Sequence, residues 1–171
     1  MRTIVDMAEL VDPYELIGPL HQAGRRSLLR TRQLDILRRR LRNRRHGYAA
    51  LRFALGQLHA GSTGILSHAE LVLAQAIRDS GLPLPLVNVV MHTERGRFKI
   101  DLYWPDLGIA IEVDDFGHDL LAMRHLDATR NEALGDLDID LLRVPNELVF
   151  QAIEVVIAEI AAMCARAARR G

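Results

Sequence analysis

The sequence predicts an α/β domain on a mixed four-stranded sheet at residues 65–171, preceded by a small arginine-rich helical segment at residues 1–60. Three observations lead there. Residues 12–58 carry helix-capping residues and leucines at i, i+3 and i+7. Residues 86–113 hold three short β-branched or aromatic runs divided by turn residues. A helix-length stretch then leads to a fourth apolar run at 138–144, a connection long enough to set that strand parallel to a neighbour.

In chain order, "DPYE" at 12–15 offers Asp12 as an N-cap, Pro13 at the first helical position and Glu15 at the capping-box position, with Leu16, Ile17 and Leu20 following. Leu34, Leu37 and Leu41 then mark an amphipathic helix with a cationic outer face, which Gly47 is expected to end. A short helix covers about 48–58, and "HAGSTG" at 59–64 is the linker. "SHAELVLAQAIRDSG" reads as a helix starting at Ser67 and stopping at Gly81, after which "LPLP" blocks further helix. "LVNVVMH", "RFKIDLYW" and "GIAIEV" form an antiparallel meander, with "TERG" and "PDLG" between them. A helix from about 120 to 134 precedes "DIDLLRV", and Asn146 caps one long final helix carrying Ile153, Val156, Ile157 and Ile160.

Composition narrows the function classes. No run reaches the roughly 18 apolar residues of a membrane span, and the N-terminus has acids where a signal peptide would be apolar. The single Cys164 excludes an internal disulfide and a multi-cysteine zinc site. A cytoplasmic protein is expected. Net charge is formally zero, yet residues 25–52 hold eleven arginines against one acid, Asp35, and most acids lie beyond residue 100. Lys99 is the one lysine among 22 basic residues, an arginine preference that weakens the meaning of any single Arg.

The acids of "KIDLYWPDLGIAIEVDDFGHD" interrupt runs that otherwise read as buried strands. Alternation puts Phe98, Ile100, Leu102 and Trp104 on one face and Lys99, Asp101 and Tyr103 on the other. If "PDLG" is a four-residue loop, Trp104 pairs near Ile109, Asp101 faces Glu112, and Lys99 faces Asp114. Opposed carboxylates repel unless a cation or shared proton relieves them, and a metal ion would do so. The Lys99–Asp114 pair, by contrast, is attractive and could serve only to hold register. Glu70 shares a helix face with Leu73, Ala74 and Ile77 and points to the core; it also completes an S-x-x-E capping box with Ser67, which accounts for its position along the helix but not for a carboxylate on the apolar stripe. Hard oxygen donors without clustered Cys or His suit Mg²⁺ or Mn²⁺ and hence phosphodiester chemistry. A glycosidase pair is the rival, but directly opposed carboxylates on adjacent strands sit too close for most such sites.

These residues resemble a known pattern. An acidic helix, a meander with "ID" at 100–101, "EVD" at 112–114, then a helix and strand, is similar to the PD-(D/E)XK nuclease superfamily with its restriction-endonuclease-like αβββαβ core. "GH" at 117–118 and Asp127, Arg130 and Asn131 in "DATRNEAL" resemble the branch related to very-short-patch-repair endonucleases. The likeness covers about residues 65–160. It implies that Asp101 and Glu112 bind the metal with the Val113 carbonyl, and that Glu70 completes the metal or water shell. Asp114 stands where most of the superfamily has a catalytic lysine, a role Lys99 could fill from the neighbouring strand. His118 is either a general acid or base or an ordinary loop histidine. Asp127, Arg130 and Asn131 share a helical face with Leu134 and either orient the site or contact phosphate, or else form a local i,i+3 ion pair.

"RTIVDMAELVDPYELIGPLHQAG" is similar to the middle region of actinobacterial proteins in which an abortive-infection antitoxin-like winged helix precedes this nuclease-like domain; that winged helix is missing here, as in a short form or a fragment. Arg38, Arg39 and Arg42 on the cationic helix are expected to grip DNA phosphates, or else to form a solvated face. The expected function is Mg²⁺-dependent DNA cleavage, with an inactive nuclease-fold regulator as the alternative. DNA, a second copy of the chain in a homodimer and a partner protein of a defence or toxin–antitoxin system are compatible partners; a membrane is not.

Overall fold

The computed structural model describes residues 2–43, 45–114 and 131–170. Its contacts divide the chain into two compact units, Met1–Leu66 and Ser67–Gly171.

The first unit is helical: α1 (Arg2–Leu10), α2 (Ile17–Arg25), α3 (Thr31–Leu41) and α4 (Arg45–His59). Helix α1 lies upstream of the first helix expected from the sequence. "DPYE" does make reciprocal cap bonds: the Asp12 carboxylate accepts from the Tyr14 N–H at 2.9 Å, and the Glu15 carboxylate accepts from the Asp12 N–H at 3.0 Å. Regular helix begins only at Ile17, because the Leu16 and Ile17 amides bond three residues back, to Pro13 and Tyr14. Tyr14, Leu16, Ile17, Leu20, Leu37, Leu41 and Leu51 are sealed from solvent, each such side chain contributing about 2 kcal/mol by burial. Tyr14 meets Phe53 edge-on at 4.8 Å.

Gly47 does not end α3; it lies in the first turn of α4. Its amide donates to the Glu9 carboxylate at 3.1 Å, in the space a Cβ would fill, so the glycine is there for a close approach and not as a helix stop.

The second unit is α/β. It contains α5 (His68–Asp79), β1 (Leu86–Thr93), β2 (Gly96–Trp104), a 3₁₀ turn (Pro105–Leu107), β3 (Ile109–Asp114), β4 (Asp140–Pro145), α6 (Asn146–Gln151) and α7 (Ile153–Ala167); residues 131–135 are also helical. The sheet order is β1-β2-β3-β4, antiparallel except for the parallel β3–β4 pair. Most of the helix expected at 120–134 lies outside the described residues. Among those described, no helix is long and apolar enough to cross a membrane.

Helix α5 is capped as its sequence requires, with Ser67 and Glu70 exchanging side-chain-to-amide bonds at 3.2 Å. The β2–β3 loop is the four residues 105–108, so Trp104 pairs with Ile109, Tyr103 with Ala110 and Leu102 with Ile111. Gly108 closes that loop at φ 60°, where a Cβ would press on the Asp138 carbonyl at 3.0 Å. Its carbonyl accepts from the Asp140 amide at 2.8 Å, which ties the hairpin to the start of β4. A small core of Ile100, Ala110, Leu134 and Ile139 joins the sheet to the helical residues 131–135.

The C-terminal helix differs from expectation in two ways. It is two helices, broken at Ala152, whose φ of −150° and ψ of 49° leave the helical region. Asn146 is not the cap but the first helical residue, because Pro145 ends β4 and itself occupies the cap position, without a side-chain acceptor.

Candidate active site

The sheet register assembles a polar row from four separate stretches of sequence. Asn88 lies between the pairs Val87↔Leu102 and Val89↔Ile100, and so opposite Asp101. Continuing the β2–β3 register past Leu102↔Ile111 puts Asp101 opposite Glu112, and Glu112 pairs with Arg143 on β4. The neighbouring row on this face is Leu86, Tyr103, Ala110 and Leu141. The alternation expected from the sequence does not hold throughout β2: Ile100, which it sets on the face opposite Tyr103 and Ala110, packs in one core with them, so the strand changes face around Asp101. Burial holds Tyr103 mainly in its protonated form, raising its pKa, with nearby Asp106 adding to the effect.

Asp101 stands where the β2–β3 ladder opens. Regular β2–β3 pairing ends at Leu102↔Ile111. The next hydrogen-bonding position on β3, Val113, donates its N–H to the Asp101 carboxylate at 3.0 Å. A side chain thus takes the acceptor place that alternation assigns to the Ile100 carbonyl. In a strand the carbonyl leaves on the same edge as the amide of its residue, so the Val113 carbonyl also faces β2 at this opening.

Glu112 is 3% exposed, and Arg143 Nε lies 3.5 Å from its Oε2. The same nitrogen is 3.6 Å from Asp114 Oδ2, so one guanidinium spans two acids of β3. Arg143 also donates to the Asn131 side-chain oxygen at 2.9 Å. Lys99 Nζ stands 3.7 Å from Asp101 Oδ1. The expected Lys99–Asp114 pair is therefore replaced: among the described residues Lys99 pairs along its own strand with Asp101, and Asp114 takes Arg143. Two cations of the chain thus sit beside the carboxylates whose repulsion a metal ion was expected to relieve.

Glu70 is 8% exposed. Besides its cap bond, its Oε2 accepts from Asn88 Nδ2 at 3.4 Å. Asn88 is fully buried and left-handed at φ 53° in mid-strand, a conformation Asn tolerates better than most residues; it takes the side chain out of the regular pleat. The helix acid thus reaches β1. Among the described residues no three His, Cys, Asp or Glu side chains are placed to share one ion, so Glu70 is not gathered with Asp101 and Glu112 into a single cluster.

Asp101, Glu112 and the Val113 carbonyl are hard oxygen donors, and Mg²⁺ is commonly held by one or two carboxylates while keeping several waters. That donor set fits such an ion. His118, Asp127 and Arg130 lie outside the described residues; Asn131 is described and serves Arg143. Arg38, Arg39 and Arg42 belong to the first unit, exposed on and just after α3. Sequence reasoning missed Arg143 and Asn88. The arginine carried no local signal, whereas an Asn inside a β-branched run was a hint of irregular backbone. Comparisons with protein-family models, with curated proteins and with solved structures find no match to this chain.

Proposed function

We propose that the chain is a metal-dependent DNA endonuclease of PD-(D/E)XK type, related to the very-short-patch-repair branch, that hydrolyses phosphodiester bonds with Mg²⁺ or Mn²⁺. The observation that carries this reading is the opened ladder, where the Asp101 carboxylate replaces a backbone carbonyl beside Glu112. Strand pairing alone gives no reason for that exchange. Asp101, Glu112 and the Val113 carbonyl would hold the ion. When bound, the ion polarises a phosphoryl oxygen, acidifies a water and neutralises developing charge.

The remaining roles belong to side chains. Lys99, beside Asp101, supplies the positive charge that most of the superfamily takes from the position of Asp114. Arg143 holds Glu112 and Asp114 apart from one another's charge and fixes the Glu112 rotamer. Glu70, steadied by Ser67 and Asn88, orders water on the helix side. His118 is assigned the general acid or base role. Incubating the purified chain with supercoiled plasmid and Mg²⁺ or Mn²⁺ tests the reading. Nicked or linear product is expected, and cleavage that survives in Asp101→Ala/Glu112→Ala would defeat it.

One observation favours a second reading, an inactive nuclease fold serving as a DNA-binding or toxin–antitoxin regulator. Glu112 and Asp101 each already face a cation of the chain, which relieves their repulsion without metal. Calorimetric titration with Mg²⁺ separates the two: the enzyme requires binding that the Asp101→Ala/Glu112→Ala variant loses.

A further inference from the structure

The two units carry opposite charge. Residues 1–66 hold twelve arginines against five acids, whereas residues 67–171 hold ten basic side chains against seventeen acids. A polyanion approaching the sheet unit meets a net negative surface, and screening over about 8 Å at physiological salt does not remove that repulsion at contact range. Affinity for a nucleic acid must then come from the helical unit.

That unit has a shaped place for it. Arg38, Arg39 and Arg42 together with Tyr48 line a cleft of about 310 Å³. Leu37 and Leu41, both fully buried, anchor α3 so that the arginines between and beyond them turn outward. Arg38 and Arg42 are one helical turn apart. Arg39 Nε donates to the Asp35 carbonyl at 3.3 Å, which orients its guanidinium. Asp35 also lies 3.7 Å from Arg38, but both side chains are more than half exposed, so solvent screens the pair and leaves the guanidinium open to a stronger anion. Arginines in the last turn complement the helix dipole. The dipole does not account for an aromatic ring, 36% exposed, in the same cleft.

We propose that this cleft binds single-stranded nucleic acid, the three guanidiniums on successive phosphates and one base stacked on the Tyr48 ring. A single strand fits because its bases are free to stack on a side chain, whereas those of a duplex are already stacked on one another. The inference rests on the nuclease reading only for the class of polymer; it needs neither metal nor cleavage.

Fluorescence anisotropy of the full chain in EDTA tests it, with a fluorescein-labelled oligodeoxythymidine and a duplex of the same length, between about 50 and 200 mM salt. The single strand is expected to bind more tightly than the duplex. Arg38→Glu/Arg39→Glu/Arg42→Glu should lower single-strand affinity at least about tenfold and flatten the log–log salt slope by about 2. Tyr48→Ala should cost about fivefold or more, with Tyr48→Phe restoring affinity. Arg25→Glu/Arg26→Glu/Arg52→Glu, the same charge change elsewhere on the unit, should cost less than about threefold. Far-UV circular dichroism checks that every variant remains helical.

Equal or tighter duplex binding, an unaffected Tyr48→Ala, or equal losses in the two arginine triples would overturn the proposal. Single-strand binding without any metal-dependent cleavage would end the nuclease reading and leave the cleft. Cleavage by a chain whose cleft variants bind normally would do the reverse.

Discussion

Arg143 Nε lies 3.5 Å from Glu112 Oε2 across the parallel β3–β4 pair, beside a carboxylate that is 3% exposed. Removing one partner of such a pair leaves a buried charge without its counter-ion. Arg143→Met is therefore expected to lower unfolding free energy by about 3 kcal/mol, and adding Glu112→Gln to recover much of it. Urea denaturation measures both; a single variant within about 0.5 kcal/mol of the parent would contradict the pairing.

Asp101 holds the Val113 amide with a carboxylate oxygen at 3.0 Å, so charge and acceptor are separable. Asp101→Asn keeps an acceptor and loses the charge; Asp101→Ala loses both. The Asn variant should be about 1 kcal/mol more stable than the Ala variant, while both lose Mg²⁺ binding in calorimetry. Retained Mg²⁺ binding in Asp101→Asn would remove this residue from the metal site.

Glu70 has a capping role and a proposed site role, and glutamine tells them apart. Gln preserves a capping box, so Glu70→Gln should leave stability within a few tenths of a kcal/mol, whereas Glu70→Ala should cost about 1 kcal/mol. Plasmid cleavage should fall about tenfold or more in the Gln variant. Full activity there would confine Glu70 to the helix cap.

Two glycines of α4 differ in surroundings. A Cβ at Gly56 meets nothing within 4 Å, and Gly56→Ala should stabilise the helix by about 0.5–1 kcal/mol. At Gly47 a Cβ would displace the Glu9 carboxylate and reach Leu41 Cδ2 at 3.0 Å. The hydrogen bond lost there, about 1 kcal/mol, cancels the helical gain, so Gly47→Ala should not raise the melting temperature. Equal stabilisation by the two substitutions would mean that the Glu9 contact contributes nothing.

Local chemistry made much of the second unit readable. Ser67 and Glu70 carry a complete capping signal within one turn, and a four-residue loop with glycine at its end leaves little freedom in how β2 meets β3. Leu102↔Ile111 and its neighbours follow from that loop, and with them the placing of Asp101 near Glu112. The helical unit was less legible: "DPYE" signalled a turn whose helix starts later, and Gly47 read as a stop because its close approach to Glu9 involves a residue 38 positions away. The break at Ala152 had no cue in an apolar pattern that runs on without interruption.

Sequence alone determined the α/β class, the parallel fourth strand and the presence of acids on the polar face of a hairpin, because alternation, caps and loop length act over a few residues. Only tertiary structure decided which cations those acids meet. Arg143 reaches Glu112 and Asp114 through a parallel pairing whose register no short loop dictates, and Asn88 reaches Glu70 through one left-handed residue in a strand. Both relationships depend on where separate elements come to rest against one another, which is settled by packing over the whole sheet rather than by any local pattern.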